Sequence, residues 1–143
     1  MIAQVGALPY RVTSVGAAPS ILLVTSRHTG RWVVPKGNLM LGKALHEAAA
    51  IEAEEEAGVR GRISPLPIGR FDYIKILPDG SLFMCEITLF PLAVEVELPS
   101  WKEKDQRRRQ WFTAVEAAVV VEEVGLGELI HQFSEGRGPR PAE

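Results

Sequence analysis

The sequence predicts a single mixed α/β domain, and three local patterns carry that prediction. Trp32–Val34 is a short apolar strand pattern that enters a Pro/Gly loop and then an Ala/Glu-rich helix stopping at Gly58. Two apolar segments, Arg70–Leu77 and Ser81–Pro91, flank Pro78-Asp79-Gly80, a strong turn signal, and so predict a hairpin. Thr113, with Glu116 three residues later, is the signature of a capped helix start.

Taken in order, Tyr10–Val15 and Ile21–Thr25 read as strands separated by a Gly/Ala/Pro turn. Trp32–Val34 is the third strand, and the helix is expected over about Ala44–Ala57. Residues 60–67 carry alternating apolar side chains between Gly and Pro. After the hairpin, Val94–Leu98 extends its second strand, Trp101–Arg109 is a charged loop, and Gln110–Phe112 is a short strand. Thr113 caps a helix over Ala114–Glu123, and Leu126–Phe133 is the last helix. The domain is expected over residues 1–135, with residues 136–143 as a disordered tail.

At 143 residues the chain is long enough for one good core. Its 46% hydrophobic and 24% charged residues are ordinary for a soluble globular chain. A net charge of −2 gives no global attraction to a nucleic acid polymer or a membrane, so anion binding has to come from local clusters. Cys85, the only cysteine, sits in an apolar strand pattern and is expected to be a buried thiol. Residues 1–9 lack a basic leader followed by an apolar stretch, and no apolar run reaches membrane-spanning length, so the expected location is the cytoplasm.

The chemistry concentrates in residues 37–59. Glu55 and Glu56 lie three and four positions after Glu52, which on a regular helix puts all three within roughly 100° of arc, while Glu54 points away to solvent. An Ala/Glu-rich stretch is also what an ordinary exposed helix looks like. The strand and glycine loop before it tip the balance, because they bring backbone groups, Lys36 and the carboxylates together. Carboxylates this crowded repel one another, and a hard cation such as Mg²⁺ relieves the repulsion.

The segment Gly37-x14-Glu52-x2-Glu55-Glu56-x-Gly58-Val59 resembles the Nudix box, Gly-x5-Glu-x7-Arg-Glu-U-x-Glu-Glu-x-Gly-U, with U a bulky aliphatic residue and Ala53 a small stand-in for one. Two positions depart from it: Lys43 stands where the family has glutamate, and Ile51 where it has arginine. The flanks Ser26–Gly37 and Trp101…Arg107-Arg108-Arg109-Gln110-Trp111-Phe112 are similar to the diphosphoinositol polyphosphate phosphohydrolase branch, alongside the dinucleoside polyphosphate hydrolases. The resemblance spans about Arg11 to Phe133 and implies an α/β/α sandwich with a central mixed β-sheet. In the family the missing Glu and Arg help order the loop and orient the catalytic glutamates. Their loss, with the other three carboxylates kept, therefore implies an altered support around the site, worth about 10–100-fold in metal affinity or activity.

The resemblance also implies the roles. Glu52, Glu55 and Glu56 are the expected catalytic and metal-binding residues for Mg²⁺ or Mn²⁺, with the Gly37 carbonyl a possible further ligand. Arg107, Arg108 and Arg109 are expected to cradle phosphates, alternate members facing opposite sides. Arg11, Arg27, Lys36 and Arg70 are candidates at strand ends, and Lys43 is a further candidate phosphate contact. Glu86, Glu97 and Glu103 are candidate general bases from outside the helix. His28 is read as structural, His46 and His131 carry no signal, and Trp32, Trp101 and Trp111 as packing, with Trp101 a candidate floor for a nucleobase. The activity implied is metal-dependent hydrolysis of a phosphoanhydride in a diphosphoinositol polyphosphate or nucleoside diphosphate-linked small molecule. Nucleoside triphosphate or nucleotide-sugar hydrolysis is the second reading, and a binding module that has lost catalysis is the third.

Overall fold

The structure, a computed structural model, describes residues 1–136. The expected tail over 136–143 lies outside the described residues but for Gly136. The elements are β1 (Ile2–Arg11), β2 (Ser20–Thr25), β3 (Trp32–Val33), β4 (Lys36–Asn38), α1 (Leu45–Glu52) continuing into a π-helical turn (Ala53–Ala57), β5 (Val59–Ile63), β6 (Gly69–Ile76), β7 (Leu82–Glu97), β8 (Arg109–Thr113), α2 (Ala114–Val120) and α3 (Val124–Ser134). No helix among the described residues is long and apolar enough to cross a membrane.

The spine of the mixed sheet is the parallel pair β1–β7, in register from Ile2↔Cys85 to Tyr10↔Ala93. On its other edge β1 pairs antiparallel with β4 and β2, and β2 in turn pairs with β3 and β8. The long strand β7 carries β6 and then β5, both antiparallel, on the edge away from β1. Alternation along the strands splits the core into two layers. Leu8, Tyr10, Ile21, Leu23, Ile87 and Leu89 pack beneath α2 and α3. Val5, Ala7, Leu22, Val24, Phe90 and Leu92 pack beneath α1 and its π turn, against Ala48, Ala49, Ala53 and Ala57. The small alanines let the acidic helix lie close to the sheet. This is the expected α/β/α sandwich.

Several expectations need correction. The first strand is Ile2–Arg11, not Tyr10–Val15. β1 is covered on both faces, Leu8 and Tyr10 by one core layer and Val5 and Ala7 by the other, and therefore appears as a continuous buried run rather than an alternating one. Val12 and Val15 are exposed in the turn that follows. Lys36–Asn38, expected to be loop, is strand β4, held to β1 by Gly37↔Val5 and by the Gln4 Nε2 to Asn38 Oδ1 hydrogen bond of 2.9 Å. The helix expected to run to Glu123 ends at Val120. The hairpin turn, the Thr113–Glu116 capping box and the buried free Cys85 are as read.

The shifted first strand can be checked by stability. Val5→Ala, at a fully buried position, is expected to cost about 2 kcal/mol in urea unfolding, while Val15→Ala stays within about 0.5 kcal/mol. The reverse order would reject the register.

Candidate active site

The acidic helix does not end as a regular α-helix. Ala53–Ala57 widens into a π turn, a feature frequent at functional sites. Gly58 then closes it in the left-handed conformation at φ 66°, where a Cβ would also strike the Trp101 ring. Glu54 points away, as read, and there pairs with Arg60 at 2.6 Å. Glu52, Glu55 and Glu56 face a cleft of about 410 Å³. Its walls are the π turn, β4, the β2–β3 loop, the β6–β7 hairpin and the loop before β8.

Each carboxylate has a different surrounding. Glu52 packs directly against the Cα of Gly37, so any side chain at that position would collide with it. Burial, then the neighbouring Glu56 and Glu55 charges, push its carboxyl up to about 7. Glu56 is buried; it accepts the Lys36 backbone N–H at 3.3 Å and lies 3.5 Å from the Arg107 guanidinium. Burial raises its carboxyl pKa, while Arg107 and Lys36 pull it back. Glu55 lies 3.5 Å from the exposed Lys102 ammonium. The Lys36 ammonium sits 4.3 Å from the Tyr73 ring centroid, and burial lowers its pKa to about 8.

The donor set suits a hard divalent cation: it is oxygen-only and anionic, with Glu52 desolvated and beside the Glu56 and Glu55 charges. Among the described residues no three acidic or histidine side chains already converge as a finished ligand cluster. Glu55 leans to the exposed Lys102, whose place an ion would take, while Glu56 lies against the enclosed Arg107.

The candidate cations separate. Arg27, Lys36 and Arg107 line the cleft. Arg11 does not: it stacks 4.0 Å from the Trp111 ring and faces Glu97. Arg70 is also away from the cleft, facing Glu86 at 3.8 Å. Arg107 and Arg108 point to opposite sides, as expected for alternation, and Arg108 lies over Trp32. Arg109 spends its fork on the carbonyls of Ala57, Gly58 and Leu98, at 3.0, 3.1 and 2.9 Å. It caps the end of the acidic helix, so of the three arginines only Arg107 faces the cleft. Lys43 is exposed on the turn before α1 and outside the cleft. Trp101, a candidate base floor, lies outside the cleft lining; it packs on Arg109 and donates to the Glu56 carbonyl at 3.1 Å. Of the candidate bases, Glu103 lines the cleft, whereas Glu86 and Glu97 face Arg70 and Arg11.

The sequence reading missed Gln4, Asn38, Arg31, Tyr73 and Lys75, all of which line the cleft. Arg31 is tied to Glu122 and Glu123 at 2.7 and 3.2 Å, bringing the α2–α3 connection to the rim. Gln4 and Asn38 could have been found only by recognising β1 and β4 as paired strands.

Comparison with known proteins agrees with this geometry. The family model described as NUDIX domain matches residues 4–134. Nudix hydrolase 12, mitochondrial, of Arabidopsis thaliana is 32% identical over 142 residues, covering 90% of this chain and 70% of its own. Diphosphoinositol polyphosphate phosphohydrolase 3-alpha of Mus musculus is 30% identical over 104 residues, covering 71% of this chain and 59% of its own. The solved structure of a C. elegans Ap4A hydrolase binary complex has the same fold, with a TM-score of 0.67 at 19% identity, covering 95% of this chain and 97% of that one.

The crowded carboxylates predict a pH signature in metal-free protein. Glu52 titrates near 4.5 when unfolded and about 7 when folded, so the native state holds more protons between those values. Its stabilising contribution is complete below 4.5 and is lost as pH rises to 7. Lys36 acts in the separate window above about 8. The Tm contribution should therefore fall from pH 5 to 7, and Glu52→Gln should make that slope shallower; an unchanged slope would place the proton elsewhere.

Proposed function

The chain belongs to the NUDIX domain family of phosphoanhydride hydrolases, and from that premise we propose that it is a Mg²⁺- or Mn²⁺-dependent pyrophosphohydrolase acting on a nucleoside diphosphate-linked or diphosphoinositol polyphosphate-type small molecule. The observation that carries the proposal is that Glu52, Glu55 and Glu56 share one cleft with Arg27, Lys36 and Lys75. Acids for a metal and bases for phosphates thus face the same space.

Glu52, Glu55 and Glu56 would hold the cation, with the Gly37 carbonyl a further candidate. When bound, it supplies Lewis acidity, withdrawing charge from the phosphoryl group and activating water. Glu103, which lines the cleft from outside the acidic helix, would accept the proton of the attacking water. Lys36 and Arg27 would hold the flanking phosphate oxygens, fixing the anhydride for displacement. The Lys36 ammonium, desolvated against Tyr73, presents its charge where water screens it little.

Of the two substrate types, the cleft favours the nucleoside diphosphate-linked one. A densely phosphorylated inositol would need many free cations, yet Arg107 is committed to Glu103 and Glu56, and Arg109 to carbonyls. The hairpin wall instead offers Tyr73, Ile74, Ile76 and Pro78, a surface suited to a planar, less charged group. The names of the mouse and C. elegans relatives span both types.

A phosphate-release panel of dinucleoside polyphosphates, diphosphoinositol polyphosphates, nucleoside triphosphates and nucleotide sugars tests this, with Glu56→Gln as the blank. Activity is expected with Mg²⁺ or Mn²⁺, to vanish with EDTA and to return when metal is restored. Glu55→Gln and Glu56→Gln should each lower kcat by about 100-fold or more without unfolding the protein. Near-normal turnover in both would show that this helix face is not the metal site. Gly37→Ala, which displaces the Glu52 carboxylate, should weaken Mn²⁺ binding; unchanged binding would remove Glu52 from the ligand set.

A further inference from the structure

Arg107 is almost enclosed, with 9% of its side chain exposed, and each arm of its guanidinium reaches a different element. Nε donates to Glu103 Oε1 at 2.8 Å, and Nη1 donates to the Thr25 carbonyl at the end of β2 at 3.1 Å. Nη2 lies 3.5 Å from Glu56 Oε2 on the π turn. The donors of a guanidinium are coplanar and fixed relative to one another, so meeting three partners also fixes where those partners stand. The loop carrying Arg107 is itself fastened to the acidic turn, by Glu103 N–H to the Glu55 carbonyl at 3.0 Å and by Trp101 Nε1 to the Glu56 carbonyl at 3.1 Å. Meanwhile position 51, where the Nudix pattern carries arginine, holds the uncharged Ile51.

We propose that Arg107 is a positioning residue that aims Glu56 and Glu103 into the cleft from outside the acidic helix, supplying the orienting cation that Ile51 cannot. The inference rests on the reading of the cleft as a metal-dependent hydrolase. It differs from the expectation that Arg107 grips substrate phosphate, since its fork is already occupied by the protein.

The two roles separate in Arg107→Lys, which keeps the charge but cannot bridge three partners. Positioning predicts a fall in kcat of about 10-fold or more, a KM within about threefold of wild type, and roughly tenfold weaker Mn²⁺ binding measured without substrate. A rise in KM with kcat unchanged, or substrate-free Mn²⁺ binding equal to wild type, would overturn the proposal. Because the variant can fail to fold, the wild-type protein carries a second measurement: the ¹⁵N resonance of Arg107 Nε. It should be protected from solvent exchange and should move on adding Mg²⁺ alone. A resonance that exchanges freely, or that moves only when substrate is added, would overturn the proposal. Absence of Mn²⁺ binding by wild-type protein would instead sink the metal-dependent reading itself, which keeps the two failures distinct.

Discussion

The cleft depends on one electrostatic constraint: negative charge is held at close quarters where water cannot fully screen it. Glu52 and Glu56 are both turned inward on a helix packed through alanines onto the sheet; burial raises the cost of keeping either ionised, and neighbouring carboxylates add to it, Glu56 and Glu55 at Glu52 and Glu103 at Glu56. Separate parts of the chain answer that repulsion. The Lys36 backbone N–H comes from β4, the Arg107 guanidinium from the loop before β8, and the Lys102 ammonium from the same loop. The site is therefore assembled from segments far apart in sequence, and the sheet registers β1–β4 and β2–β8 determine where those segments meet.

Much of this was legible in the chain. The hairpin, the capping box and the acidic face were readable because each is local: a turn tripeptide, a three-residue spacing, a helical repeat. The α1–Gly58 boundary was readable for the same reason. What escaped was set by pairing. β1 was placed too late in the chain because a strand buried on both faces has no alternation to announce it. β4 looked like a loop because Lys36–Asn38 acquires its conformation from β1 rather than from its own composition.

The basic residues show the same limit more sharply. Arg107, Arg108 and Arg109 are one run in the sequence and three separate functions in the fold: a bridge between acids, a cover on Trp32, and a cap on the last carbonyls of the acidic helix. Alternation along an extended segment foretold that neighbours diverge, but not that carboxylates and carbonyls would claim two of the three forks. Conversely, Lys36 drew notice as a loop lysine, whereas its character in the fold comes from Tyr73 on the distant β6. A run of like charge records what a chain could offer to a ligand; only its neighbours decide how much is left to give.

The widened turn at Ala53–Ala57 makes this part of the chain unusually intolerant of changes in length. Loops elsewhere on the surface can gain or lose a residue at small cost. Within the turn, one residue inserted ahead of Glu55 would swing every later side chain by about 100°. Glu55 and Glu56 would leave the cleft, and Gly58 would no longer meet Trp101. Insertions over the history of such a sequence should thus be excluded from these five residues, as should larger side chains at the buried Ala53 and Ala57, while the outward Glu54 is free to vary.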